Sequence, residues 1–251
     1  MLQPWRTGTV IRIENVTQST RRFWIRVNGL ERFDFAPGQF VTLDLPIHEK
    51  PNKRWRSYSI ASWPDGTNVF ELVIVLLEDG LGTNYLFNKI SEGSELTLRG
   101  PQGVFTLPPV IEKDLYFICT GTGIAPFRSM THFIKLHQVP HRDIYLIFGC
   151  RKFEDALYGA ELQELQRELP SFSYIPTFSR EEPGEYRTGY VHACYEEICR
   201  SRMAQPDNGS APVLTPSLFY LCGWKNMIDE AKQRILALGY DRKAIHLELY
   251  G

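Results

Sequence analysis

The hydrophobic period of this chain changes once, at Pro108-Pro109, and that change limits the possible folds more than any other feature. Before it, apolar and polar residues alternate in short runs. Thr9-Val10-Ile11-Arg12-Ile13 and Phe23-Trp24-Ile25-Arg26-Val27 read as two antiparallel strands; Phe40 to Leu45, Arg56 to Ser62, Val69 to Leu77 and Glu95 to Arg99 follow as further strands. Pro37-Gly38 and Pro64-Asp65-Gly66 supply turns, and Gly82 to Ile90 has room for one short helix. Closely spaced strands of this kind predict a small antiparallel β-barrel. After the two prolines, continuous apolar runs at 115–119, 144–148, 172–178, 218–222 and 245–249 alternate with helical spacings at 124–137, 155–168, 191–203 and 225–238. Strands buried on both faces read as unbroken apolar runs, so this half predicts a parallel sheet covered by helices. The expected fold is therefore a β-barrel domain, residues 1–108, followed by an α/β domain, residues 109–251. A chain of 251 residues suffices for two cores. Between Ala204 and Ser217, the run Pro206, Asp207, Asn208, Gly209, Ser210 and Pro212 has no periodicity and is expected to be a mobile loop.

At the head of the second half, Cys119-Thr-Gly-Thr-Gly-Ile-Ala-Pro-Phe-Arg-Ser-Met130 joins an apolar strand to an amphipathic helix. Gly121 and Gly123 remove side chains where a pyrophosphate would approach the backbone, with Thr122 between them. The following helix start presents unpaired N–H groups and a positive dipole end. Pro126 fits the first helical turn, where no intrahelical bond is lost. The spacing G-x-G-x-x-P departs from the G-x-G-x-x-G of dinucleotide sites and allows a plain strand-to-helix turn as well.

The formal charge of −1 argues against general attraction to nucleic acid or membrane. With 43% hydrophobic and 23% charged residues and no apolar run near the length of a bilayer span, the composition is that of a globular cytoplasmic protein. Cys119, Cys150, Cys194, Cys199 and Cys222 are odd in number and unpatterned, as expected of free thiols in a reducing compartment. Cys194 and Cys199 lie five apart on a helix, off a common face, and read as structural. The six histidines show no ligand spacing, so no metal is expected.

Arg56, Tyr58 and Ser59 place a charge, a flat aromatic ring and a hydroxyl within four positions of one strand. This R-x-Y-S, with G-T-G-I-A-P-F-R-S at 121–129, Tyr220-Leu-Cys-Gly-Trp-Lys-Asn-Met227 and a terminal Glu248-Leu-Tyr250, resembles the ferredoxin–NADP reductase family. The resemblance spans essentially the whole chain. It implies that Arg56 pairs with the FAD pyrophosphate, Tyr58 stacks beside the isoalloxazine and Ser59 bonds near the reactive flavin nitrogen; guanidinium, ring and hydroxyl suit those tasks chemically. Gly82-Thr83-Asn84 stands where the family seats a flavin phosphate at a helix start. Thr83 reads equally as phosphate donor and as N-cap. Ile74 and Val75 line the flavin by position or else belong to the core. Gly100-Pro-Gln-Gly-Val-Phe105 is either a turn closing the barrel or a direct contact.

In the second half the resemblance implies Cys222 beside the nicotinamide, with Gly223 and Met227 in the same motif. Tyr250 becomes a displaceable lid on the flavin, and Glu248 a proton relay or a residue tuning the flavin's one-electron form. Gly251, one residue beyond the family's E-x-Y, leaves the stacking geometry open, and a plain last strand is the alternative. Ser179 and Arg180 match an NADP-type S-R-E, donors suited to a 2′-phosphate, with Tyr186 over the adenine and Arg187 as a further base. The adjacent Glu181 and Glu182 oppose that site. Phe153 to Leu169, with Asp155, Tyr158 and Glu161, is expected to be an amphipathic helix without chemistry. Implied overall is hydride exchange between NADPH and FAD, then single-electron exchange with a small acidic carrier, ferredoxin or flavodoxin, by a monomer. Lys50, Lys53, Arg54 and Arg56 form a positive cluster that would steer it, or one that merely solvates the barrel end. The alternatives are a reductase component serving an oxygenase, and a nucleotide-binding regulatory subunit without turnover.

Overall fold

The computed structural model describes residues 3–182, 184, 186–204 and 213–250. Two compact units emerge. One runs through Leu107 and takes in Ala125–His137; the other comprises Pro108–Ile124 and the chain from Gln138 onward.

The first unit is the expected antiparallel barrel. Its strands β1 (Trp5–Asn15), β2 (Thr20–Val27), β3 (Phe40–Asp44), β4 (Trp55–Ser59), β5 (Val69–Val75) and β6 (Glu95–Gln102) hydrogen-bond in the order β4-β3-β6-β1-β2-β5. The Ala61 N–H donates to the Glu71 carbonyl at 2.8 Å and joins the two ends of that order. Inward-pointing Val10, Ile25, Val27, Val41, Leu43, Phe70, Leu72 and Leu98 form the core, as the two-residue alternation requires. Helix α1 (Leu81–Lys89) lies between β5 and β6. The Gly100-Pro101 segment continues β6, where Gln102 pairs with Phe40, so it is strand and not a turn. Helix α2 (Ala125–Leu136) groups with this unit.

The second unit is the expected parallel sheet. Strands β7 (Asp114–Thr120), β8 (Ile144–Cys150), β9 (Phe172–Phe178), β10 (Arg187–Thr188), β11 (Ser217–Trp224) and β12 (Ile245–Tyr250) run in the order β10-β9-β8-β7-β11-β12. Helices α4 (Val191–Ser201) and α5 (Lys225–Ala237) bury Tyr195, Ile228, Ala231 and Ile235 against Tyr116, Ile118, Ile147 and Phe219 of the sheet. Helix α3 (Gly159–Glu168) packs against β9.

One local expectation changes. The helix foreseen from residue 155 begins only at Gly159: Phe153–Asp155 is a single 3₁₀ turn, and Tyr158 takes a left-handed conformation, φ 56°, that breaks the helical run. Strand β10, two residues long, carries too little period to be read from sequence. Cys194 and Cys199 lie about 140° apart around α4, yet both are buried, because the sheet and α5 together enclose a wide arc of that helix. The expected loop at Pro206–Pro212 lies outside the described residues; Ala204 and Val213 at its ends exchange backbone hydrogen bonds at 3.1 and 3.0 Å.

Candidate functional site

In the barrel unit the decisive feature is a missing Cβ. A methyl built on Gly82 would come within 2.8 Å of Arg56 Cγ and 3.1 Å of its Nε, so the arginine lies directly against the first turn of α1. Arg56 Nη1 donates to the Lys53 and Trp55 carbonyls at 3.1 and 2.8 Å, which tethers one arm of the guanidinium. The first-turn N–H groups of α1 have no carbonyl four residues back, so guanidinium and helix start offer donors side by side to one phosphate.

Thr83 is not the N-cap; Gly80 is, without a side-chain cap bond. The Thr83 hydroxyl accepts from the Leu77 N–H at 3.1 Å and lies 3.1 Å from the Gly80 carbonyl. Asn84 Nδ2 reaches the carbonyls of Leu77, Glu78 and Gly80, each at 3.0 Å. Both side chains stitch the turn, and what this segment offers a ligand is its backbone.

Tyr58 shares a face of β4 with Arg56 and packs against the core. Burial pushes its phenol up to about 12, against the opposing pull of the Arg56 charge, so the ring stays neutral. Ser59, the last residue of the strand, is buried, unlike the exposed Ser57 two positions before it. Ile74 is barrel core at 2% exposure, which answers the earlier ambiguity for that residue, whereas Val75 is half-buried.

Of the basic cluster, Arg54 is paired with Asp44 at 2.7 Å, while Lys50 and Lys53 are exposed. Beside them lies an aromatic feature that no sequence period announced. Trp5 and Trp55, each more than a third exposed, flank Arg99, whose guanidinium lies 4.7 and 5.2 Å from their ring centroids.

In the α/β unit the chain runs from β7 outward through β8 and β9, then returns to the other side of β7 as β11. Connections leaving in opposite directions open a crevice at the carboxyl ends of these two strands, the usual ligand position in such sheets. Gly121, Gly123 and Gly223 all lie there, for different reasons. Gly121 has φ 53° and open space where a Cβ would be. A Cβ on Gly123 would meet the Cys222 carbonyl oxygen at 2.5 Å, so that glycine is required by close packing on β11 and not by a ligand alone. Gly223 has φ 135°, and its Cβ would meet Thr120 Oγ1 at 2.6 Å. Thr122 is half-buried in the turn, and Pro126 is the second residue of α2.

Cys222, buried in β11, pairs in register with Glu248 of β12, and its Sγ lies 3.9 Å from Glu248 Oε1. Tyr250 pairs with Trp224, so the strand holds its register to that residue, and its hydroxyl bears on the same thiol. Burial, with Glu248 adding to it, pushes the Cys222 thiol well up; the Tyr250 hydrogen bond works the other way. Cys222 is therefore a neutral thiol and not a nucleophile. Met227, foreseen at the site, lies in the first turn of α5 and is buried in the core.

At the far end of the sheet, Ser179 and Arg180 follow β9. Their N–H groups donate to the Cys150 and Arg151 carbonyls, both at 3.0 Å. The exposed side chains of Arg180 and Arg151 enter no ion pair among the described residues. Arg151 was missed because only tertiary pairing brings it beside Arg180. Glu181, the suspected opponent, is occupied: its Oε2 accepts from the Phe153 N–H at 2.6 Å. Arg187 is occupied too, bonded through both nitrogens to Glu197 at 2.6 and 3.1 Å, so its charge is largely spent. Tyr186 receives a bond from Gln163 at 2.8 Å, and its ring lies 5.5 Å from that of Phe153, which is half-exposed. The segment that promised no chemistry thus places an aromatic beside the expected adenine position.

Among the described residues no helix is long and apolar enough to cross a membrane, and no group of three metal-ligating side chains occurs.

Comparison with known proteins gives two domain matches along the chain. An oxidoreductase FAD-binding domain matches residues 7–107, and an oxidoreductase NAD-binding domain matches residues 117–233. The chain is 35% identical over 234 residues to ferredoxin–NADP reductase B of Sorangium cellulosum, covering 90% of this chain and 92% of that protein. It is 29% identical to the glycine betaine monooxygenase reductase subunit of Pseudomonas aeruginosa, covering 99% of this chain but 66% of that one. A Neisseria gonorrhoeae ferredoxin NADP+ reductase solved with bound FAD and NADP superposes with a TM-score of 0.78 at 25% identity, over 98% of both chains.

Proposed function

We propose that this chain, which belongs to the ferredoxin–NADP reductase family of two-domain FAD- and NAD-binding oxidoreductases, exchanges hydride between NADPH and FAD and single electrons with a small acidic electron carrier of the ferredoxin or flavodoxin kind. The observation that carries the reading is Arg56 laid across the first turn of α1 in the space that Gly82 leaves. A guanidinium and a helix start converging on one point fit a flavin pyrophosphate. FAD supplies the hydride and one-electron chemistry; the chain's work is to bind, orient and exclude water.

In this reading residues 1–108 hold FAD and 109–251 hold the nucleotide. Tyr58 offers a neutral ring to the isoalloxazine, and Val75 an apolar edge. Ser59 supplies a hydroxyl near the reacting centre. Backbone donors from Gly82 and Thr83 meet a flavin phosphate. Gly121, Thr122 and the start of α2 at Pro126 receive the nucleotide pyrophosphate in the crevice between β7 and β11. Cys222 sets the floor against which the nicotinamide rests, Glu248 serves as a proton relay, and Tyr250 guards the approach. Ser179 and Arg180, joined by Arg151, bind the 2′-phosphate; Tyr186 with Phe153 flanks the adenine. Asn84, Ile74, Met227 and Arg187 support these groups from behind. Lys50, Lys53 and Trp55 receive the acidic carrier.

Service to an oxygenase is the second reading, favoured by the match to a monooxygenase reductase subunit over nearly the whole of this chain.

The test is anaerobic mixing of the yellow protein with NADPH, and separately with NADH, following flavin absorbance by stopped flow. Fast bleaching by NADPH and slow bleaching by NADH is expected. Bleaching by neither, with flavin bound, overturns the oxidoreductase assignment; preference for NADH overturns the 2′-phosphate site.

A further inference from the structure

A buried charge cluster fastens the first turn of α2 to the loop that follows Ser59. Arg128, at 5% side-chain exposure, donates through Nη1 to the Ala61 carbonyl at 2.9 Å and to Glu71 Oε2 at 3.1 Å. Glu71, at 3%, also takes both forks of Arg22, at 2.7 and 3.0 Å. The backbone closes the same knot: the Glu71 N–H donates to Ser62 Oγ at 3.0 Å and the Ala61 N–H to the Glu71 carbonyl at 2.8 Å. Trp63 is then gripped by two α2 side chains one turn apart. The His132 ring stacks on it at 4.0 Å, and the Arg128 guanidinium lies 5.2 Å from its centroid.

Taking one carboxylate and two guanidiniums out of water is costly, and a well-packed apolar contact would hold a helix to a barrel with less penalty. What Arg128 adds is direction: one planar guanidinium nitrogen bonded at once to the Ala61 carbonyl and to Glu71 fixes a helix in one register, where apolar packing tolerates sliding. The register fixed here is that of Ala125–Arg128, the turn containing Pro126. It is fixed on a loop that starts one residue after Ser59.

We propose that Arg128 is a positioning residue for hydride transfer, holding the nucleotide-receiving turn of α2 to the strand that carries Tyr58 and Ser59. The proposal rests on the oxidoreductase reading above. A misplacement of about 1 Å costs on the order of a hundredfold in a step that needs two atoms in contact, whereas binding contacts made elsewhere on the nucleotide survive it.

The experiment compares R128M, R128K and H132A with the parent, all loaded with FAD, in stopped-flow reduction over a range of NADPH. Hydrogen exchange of the amides at 127–130 is measured in parallel. For R128M the limiting rate of flavin bleaching is expected to fall about 10- to 100-fold, with the NADPH dissociation constant and the FAD affinity within about threefold of the parent's, and with faster exchange in α2. R128K, which keeps the charge and loses the planar guanidinium, falls between. H132A, which leaves the charge cluster whole and serves should R128M not fold, is expected to lower the limiting rate about threefold. An unchanged limiting rate in folded R128M, or in H132A with faster α2 exchange, overturns the proposal. So does a loss confined to nucleotide affinity. Failure of the underlying reading looks different, since the parent protein itself would not bleach.

Discussion

Replacing Gly82 by alanine separates flavin binding from stability in a way that few substitutions can. The added methyl would lie 2.8 Å from Arg56 Cγ and 3.1 Å from Nε, whereas carbon contacts settle at about 3.5–4.0 Å. The arginine stem therefore moves by roughly 1 Å, and its guanidinium leaves the start of α1. A charge-assisted bond to phosphate contributes about 1.5–3 kcal/mol, so the FAD dissociation constant should rise about 10- to 150-fold. Stability should move the other way. Gly82 is the second residue of α1, without a left-handed φ, and alanine there removes backbone freedom from the unfolded chain, worth about 0.5–1 kcal/mol. Apoprotein prepared by stripping the flavin would be titrated with FAD by fluorescence quenching, and its melting temperature taken without flavin. Weaker FAD binding with an equal or higher apoprotein Tm is the expected pair. Unchanged FAD affinity would refute the placement of Arg56 on the phosphate, and a joint fall in both would show that the methyl disrupts α1 itself.

Arg180→Gln should lower kcat/KM for NADPH about 10- to 100-fold while leaving NADH nearly unaffected; Arg187→Gln, whose charge is already matched by Glu197, should do much less. Tyr250→Ser should tighten NADP+ binding about tenfold, the size of one modest contact removed from the nicotinamide's path, measured by difference spectroscopy; unchanged affinity would argue against a guarding role. Charge reversal at Lys50 and Lys53, or Trp55→Ala, should raise KM for the protein carrier and weaken its salt dependence, with ferricyanide reduction by NADPH unaltered. Tyr58, Tyr145, Tyr220 and Tyr240 are each raised by burial to about 12 in the folded chain. The unfolded chain releases these protons from about pH 10. Their contribution is thus whole below that pH and is lost between about 10 and 12, so the unfolding midpoint in urea should fall steeply on that limb.

The architecture was legible because each half repeats a period long enough to be counted. Alternation through Ile13 and Val27 could bury only one face, and apolar runs such as 115–119 could only be enclosed on both. The motif residues were legible as well, since Arg56, Gly121, Ser179 and Cys222 are unusual residues for the ends of strands. Their division of labour was not. Gly123 looks like a ligand glycine in sequence, but the β11 backbone is what occupies the place of its side chain. Thr83 has the chemistry of a cap and spends its hydroxyl on the turn before α1. Arg187 and Glu181 appeared as the helper and the opponent of a phosphate site, and each is bonded elsewhere, to Glu197 and to the Phe153 N–H.

Local pattern alone determined which stretches became strands, where the period switched and which residue types stood at the strand ends. Those properties depend on neighbours a few positions away, and the sequence displays such neighbours in order. Only the tertiary structure decided which donors remain free and which are already bonded. Arg151 beside Arg180, Arg128 on Glu71 and Glu248 beneath Cys222 are meetings of residues 26 to 57 positions apart, and a side chain's availability is settled by the partner that reaches it first.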